Sequence, residues 1–167
     1  MVMAEEKQAI VFVRDEISEL ILLVATEKGA FLYYSDSDRR HWDVNGPHFL
    51  GSVVHHLVLD PRDNKTLLAS VQSRQSGVTI YWSKDFGKTW SPATKPPLFP
   101  KDKLKRKVDH IYYLTPGHDS ESKVWYAGTS PQGLFKSEDG GDTWESVDGF
   151  NSNSNWAKWT ANSPEGY

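Results

Sequence analysis

Ser83-Lys84-Asp85-Phe86-Gly87-Lys88-Thr89-Trp90 and Ser137-Glu138-Asp139-Gly140-Gly141-Asp142-Thr143-Trp144 share one pattern, S-x-D-x-G-x-T-W. A third copy runs from Ser35 to Trp42. It keeps the Ser and the Trp, with Ser37, Arg39 and His41 at the Asp, Gly and Thr positions. The pattern has the chemistry of a hairpin turn. Ser and Asp side chains accept hydrogen bonds from backbone N–H groups a few residues on. Gly supplies the positive φ of a tight turn. Thr starts the returning strand, and Trp lays a large apolar face on the sheet below. Ser83, Asp85, Gly87, Thr89 and Trp90, and Ser137, Asp139, Gly141, Thr143 and Trp144, are therefore read as structural.

The flanks repeat as well. A short strand with aromatics precedes each turn: residues 30–34, 78–82 and 133–136. Another precedes that, at 22–26, 66–70 and 124–129. Two copies carry a further upstream strand, at 53–59 and 108–114, ending in the Asp60-Pro61 and Thr115-Pro116 turns. The three Trp residues stand 48 and 54 residues apart. Short strands recurring at such a period predict propeller blades.

The repeat resembles the Asp-box, or bacterial neuraminidase (BNR), family over residues 20–147. The resemblance implies an all-β chain: a partial β-propeller of about three four-stranded antiparallel blades with Asp-box hairpins. The family includes sialidases, xyloglucanase-type glycoside hydrolases, sortilin-type receptors, a photosystem assembly factor and bacterial proteins labelled glycosyl hydrolase. The uninterrupted bacterial blades are the most similar, through His56-Leu57-Val58-Leu59-Asp60-Pro61-Arg62-Asp63 and the strand after it. In this family the box sits at the outer rim, remote from the central funnel where ligands bind. Fold does not fix activity.

We expect one partial propeller over residues 1–167, with blades at 9–44, 53–92 and 108–148. Residues 9–14 would supply an N-terminal strand, and residues 149–167 a connection to a next blade. An open stack leaves apolar faces wet. The expectation is thus an N-terminal fragment completed by further blades, or short chains that self-associate into a ring.

Composition narrows the function. Net charge is −3, which gives no field to draw the chain onto nucleic acid. The local basic run Lys101, Lys103, Lys105, Arg106 and Lys107 reads as a solvated loop rather than a phosphate patch. Cys is absent, so disulfides and thiolate metal sites are excluded. Residues 21–25 are too few to span a bilayer, and no membrane partner is expected. Residues 1–8 lack the features of a signal peptide, so a cytoplasmic location is expected. Gly87, Gly140 and Gly141 lie in no strand-to-helix phosphate loop, and no cofactor is expected.

Candidate chemistry gathers at the inner strands. His56 and His110 occupy equivalent places near their starts, preceded by His55 and Asp109. His55, His56, Asp109 and His110 are the candidate funnel residues for a carbohydrate or protein ligand. Two repeat-related His do not make a metal site, and none is expected. Tyr33/Tyr34, Tyr81/Trp82 and Tyr112/Tyr113 could stack on sugars, but are read as pairs with one member packed between blades and its neighbour facing the other way. Sialidases carry an Arg-Ile-Pro type motif, which this chain lacks; Arg14, Arg39, Arg40, Arg62, Arg74 and Arg106 are scattered. A glycoside hydrolase needs two carboxylates across a cleft. Asp109 is one candidate, Asp43 and Asp60 are alternatives, and a partner would come from other blades. The leading reading is a sialidase-like module that binds a ligand or protein. The alternatives are a glycoside hydrolase and an assembly factor. His41, His48 and His118 receive no role.

Overall fold

The computed structural model describes residues 20–100 and 106–155. Three antiparallel sheets follow one another along the chain. The first holds β1 (Leu20–Thr26), β2 (Gly29–Ser35) and β3 (Asp43–His48). The second holds β4 (Val53–Leu59), β5 (Leu67–Ser73), β6 (Gly77–Ser83) and β7 (Ser91–Pro92). The third holds β8 (His110–Pro116), β9 (Trp125–Ser130), β10 (Gly133–Ser137) and β11 (Glu145–Ser146), followed by α1 (Asp148–Asn151). Each sheet is a meander in which sequence neighbours pair. The expected strand at residues 9–14 lies outside the described residues, as do Lys101, Lys103, Lys105 and the chain beyond residue 155. The described chain is all-β apart from α1, an arc of three propeller blades.

The sheets stack because the middle one is apolar on both faces. In β5, Leu67, Ala69 and Val71 pack toward the first blade with Ala30 and Leu32. Leu68 packs the other way, with Ile111, Trp125 and Phe135 of the third. In β6, Tyr81 joins the first set and Ile80 and Trp82 the second. Strand side chains alternate between faces, so a strand covered on both sides loses its polar positions. The paired-aromatic expectation holds at Tyr81 and Trp82.

The two intact boxes close as their chemistry predicts. The Ser83 hydroxyl donates to Asp85 (2.7 Å) and accepts the Gly87 N–H (2.8 Å). Asp85 in turn accepts the Thr89 N–H (2.9 Å) and hydroxyl (2.6 Å). Ser137, Asp139, Gly141 and Thr143 repeat the set. The glycines also do something the turn alone does not require. At φ +98°, Gly141 comes so close to the preceding blade that an added Cβ would lie 2.9 Å from Leu68 Cδ2. Gly87, at φ +77°, meets Leu32 in the same way at 2.5 Å. Trp144 is 1% exposed and donates its Nε1–H to the Gly141 carbonyl (2.9 Å). Trp90 is partly buried, with its ring against Phe49 (5.0 Å) and His48 (5.8 Å). In the decayed copy Ser35 donates to the His41 carbonyl instead, and Trp42 is 39% exposed.

Two further contacts lock the second blade to the third. The segment after β7 lies along the third box: Thr94 N–H donates to Asp142 (3.1 Å), and Trp144 N–H to the Lys95 carbonyl (2.9 Å). Arg62 makes a two-point bond with Asp60 (2.8 Å to each oxygen) inside the interface, their side chains 6% and 4% exposed. The same guanidinium donates to the Glu121 (2.7 Å) and Val124 (3.0 Å) carbonyls and lies 5.2 Å from the Trp125 ring centre.

Three outcomes are expected. Trp144→Ala should destabilise by roughly 3–5 kcal/mol, the scale for a buried large aromatic, and Trp42→Ala by less than about 1 kcal/mol, as for a surface change; urea unfolding would separate them. Arg62→Ala should cost about 3–5 kcal/mol by leaving Asp60 buried without its partner. An equal midpoint for that variant and the wild type would show the pair to be idle. Partial burial pushes the Asp85 and Asp139 carboxyls up, but bonds from Thr89 and Thr143, and from Ser83 and Ser137, outweigh it and hold both below the usual range. Their stabilisation is therefore complete above about pH 4 and disappears as the pH falls through the lowered folded values. The double change Asp85→Asn and Asp139→Asn should lower stability at neutral pH and flatten the acid limb of the stability curve.

Candidate functional site

The inner strands β4 and β8 have one frame. Val54 and Leu57 are buried in β4, and Ile111 and Leu114 in β8. Between each apolar pair stand two residues, His55-His56 and Tyr112-Tyr113, at which the pairing register shifts. Such a shift marks a bulge, where two residues oppose one on the partner strand and regular alternation breaks. The shared frame makes His56 the counterpart of Tyr113, and His110 that of Val53. The expected equivalence of His56 with His110 is thus corrected: chemical identity suggested it, but the apolar frame sets the register. The bulge also overturns the expectation for Tyr112 and Tyr113. Neither is buried; they are 55% and 60% exposed.

The two strands bring their rings together. The His55 ring stands edge-on to His110 (centres 4.9 Å, 87°) and to Tyr112 (5.8 Å, 76°). His110 and Tyr112 stack at 5.3 Å and 12°. Gln72 of β5 holds His55 through Oε1 and Nε2 (3.0 Å). His56 lies 4.9 Å from Tyr113, tilted by 31°, and its Nδ1 accepts the Leu114 N–H (3.1 Å). Burial pulls the His56 imidazole below its ordinary pKa, favouring the neutral ring.

Three of the four sequence candidates, His55, His56 and His110, meet here. Asp109 is exposed just before them, its N–H bonded to the Ser130 carbonyl (2.8 Å). β4, β5 and β8 contain no carboxylate. Asp60 faces Arg62 at the opposite end of β4 and serves the interface rather than chemistry. Asp43 starts the outer strand β3, away from the inner strands. Among the described residues no group of three His, Cys, Asp or Glu could hold a metal ion, and no helix is long and apolar enough to cross a membrane. Arg106 of the basic run donates to the Asn151 carbonyl (2.7 Å) and covers the Phe99 ring at 4.4 Å.

Sequence reasoning missed Gln72, and it set the sugar-stacking reading of Tyr112 and Tyr113 below a packing one. The signal for the tyrosines was present. Val54-x-x-Leu57 and Ile111-x-x-Leu114 break strict alternation in the same way, and two apolar residues three apart in a strand point to a bulge.

No family model matches the chain. Over 111 residues, 59% of the chain, it is 29% identical to a xyloglucanase from Paenibacillus sp, of which the match covers 10%. Among solved structures it is similar to the GH74 xyloglucanase from Xanthomonas campestris, with a TM-score of 0.52 and 18% identity. That match covers 70% of this chain and 19% of the other. The chain therefore spans about a tenth of the curated relative's length and a fifth of the solved one's. The structural likeness supports the propeller fold, and the sequence likeness points toward glycosidase-type propellers.

Proposed function

We propose that this chain is a carbohydrate-binding part of a glycosidase-type propeller, with a neutral β-glucan of the xyloglucan class held at the bulges of β4 and β8. The observation that carries this reading is the exposed Tyr112-Tyr113 pair, flanked by His55, His56 and His110. A sugar ring has an apolar C–H face and a polar rim. Tyr112 and Tyr113 offer aromatic faces with hydroxyl tips, a combination suited to a partly apolar and partly wet ligand. His55 and His110 can donate to or accept from sugar hydroxyls, and Gln72 fixes the orientation of His55. The absence of charged side chains from β4, β5 and β8 suits an uncharged ligand.

Hydrolysis is the second reading, favoured by the likeness to two xyloglucanases. It would use Asp109 with a second carboxylate from outside β4, β5 and β8, the two standing roughly 5–10 Å apart.

The test is affinity electrophoresis in gels cast with xyloglucan. Wild-type migration should be retarded, and Tyr112→Ala or Tyr113→Ala should weaken binding at least about tenfold, or ~1.4 kcal/mol, with unchanged circular dichroism. Unretarded wild-type migration, or variants that bind as well as wild type, would overturn the reading. Reducing sugar released by the wild type and abolished in Asp109→Asn would favour hydrolysis.

A further inference from the structure

We propose that His56 is a pH-sensitive clamp between the inner strands of the second and third blades. Among the described residues β8 ends its sheet, and its outer edge has no strand partner. Edge N–H groups need another acceptor, and the Leu114 N–H finds one in His56 Nδ1 at 3.1 Å, from the neighbouring blade. Nδ1 can accept only without a proton, which puts the neutral ring's hydrogen on Nε2. Protonation would set N–H against N–H. The Tyr113 contact tolerates either form of the ring; the backbone bond tolerates one.

Among the described residues, the strands packed around His56 give the imidazolium no counter-charge. β1 and β5 contribute no titratable side chain, and β2 contributes Tyr33 and Tyr34. β8 brings His110, Tyr112 and Tyr113, and β4 itself His55. None of these side chains is a carboxylate. Half-burial adds to the cost of the charged form. The sign follows: a folded pKa below the unfolded one makes the clamp's contribution full above about pH 6.5 and lost as pH falls through the folded value. Acid would then loosen the junction that holds Tyr113, with or without a ligand.

The experiment is an NMR titration of the chain from pH 7.5 to 5, reading the His56 ring and the Leu114 amide. His48 is also pulled down by burial and would tilt a melting curve in the same range, so a local readout is needed. His56 should titrate below about 6.5, and the Leu114 amide should shift with the same midpoint. Its exchange protection, corrected for intrinsic rates, should fall at least tenfold across that midpoint. His56→Asn keeps an acceptor and cannot titrate; it should abolish the Leu114 shift. A His56 midpoint at or above 6.5, or a Leu114 amide indifferent to it, would overturn the clamp. The wild-type titration decides this alone should His56→Asn not fold.

Discussion

Leu67, Leu68, Ala69 and Val71 follow one another in β5, and none of them reaches solvent. A strand of that kind has no face to give to water. It forces a sheet on each side, and the rest of the arrangement answers that demand. The first blade covers Leu67, Ala69 and Val71; the third covers Leu68. Burial of this sort has no direction, so geometry must come from elsewhere. It comes from polar contacts at the blade ends: the Ser–Asp–Thr bonds within each box, the Asp60–Arg62 pair reaching Trp125, and Thr94 and Lys95 against the third box.

The boxes were legible in the sequence because their chemistry is local. Ser83, Asp85 and Thr89 find one another within a few residues, so spacing alone predicts their bonds. The strands beside them were legible for the same reason, through their period. Two kinds of feature were not. Arg62 looked like one of several scattered arginines, because its partners Glu121 and Val124 are remote in sequence. The match between His56 and Tyr113 was obscured by a shared His at the wrong register, although the apolar frame around both was readable. Tyr112 and Tyr113 were assigned opposite faces by a rule of alternation that a bulge suspends.

That bulge links packing to function. Val54 and Leu57 must be buried for the blades to stack, and so must Ile111 and Leu114. The extra residue lets the two positions between them escape the core without disturbing either anchor. The candidate site thus stands on strands anchored by Val54, Leu57, Ile111 and Leu114, and its side chains can vary while that frame stays.

Gly87 and Gly141 sit where each box meets a leucine of the blade before it, Leu32 or Leu68, closer than a Cβ could come unless that leucine moved. β4 and β8 meet through bulky rings, while the box end meets through bare backbone. The gap at each end of a junction sets the wedge angle between successive sheets. Wedge angles sum around a circle, so the missing methyl group of a glycine helps to determine how many such sheets a complete ring can hold. In the first copy Arg39 occupies this place, exposed and at φ 55°. That turn therefore presents a side chain where the two intact boxes present bare backbone.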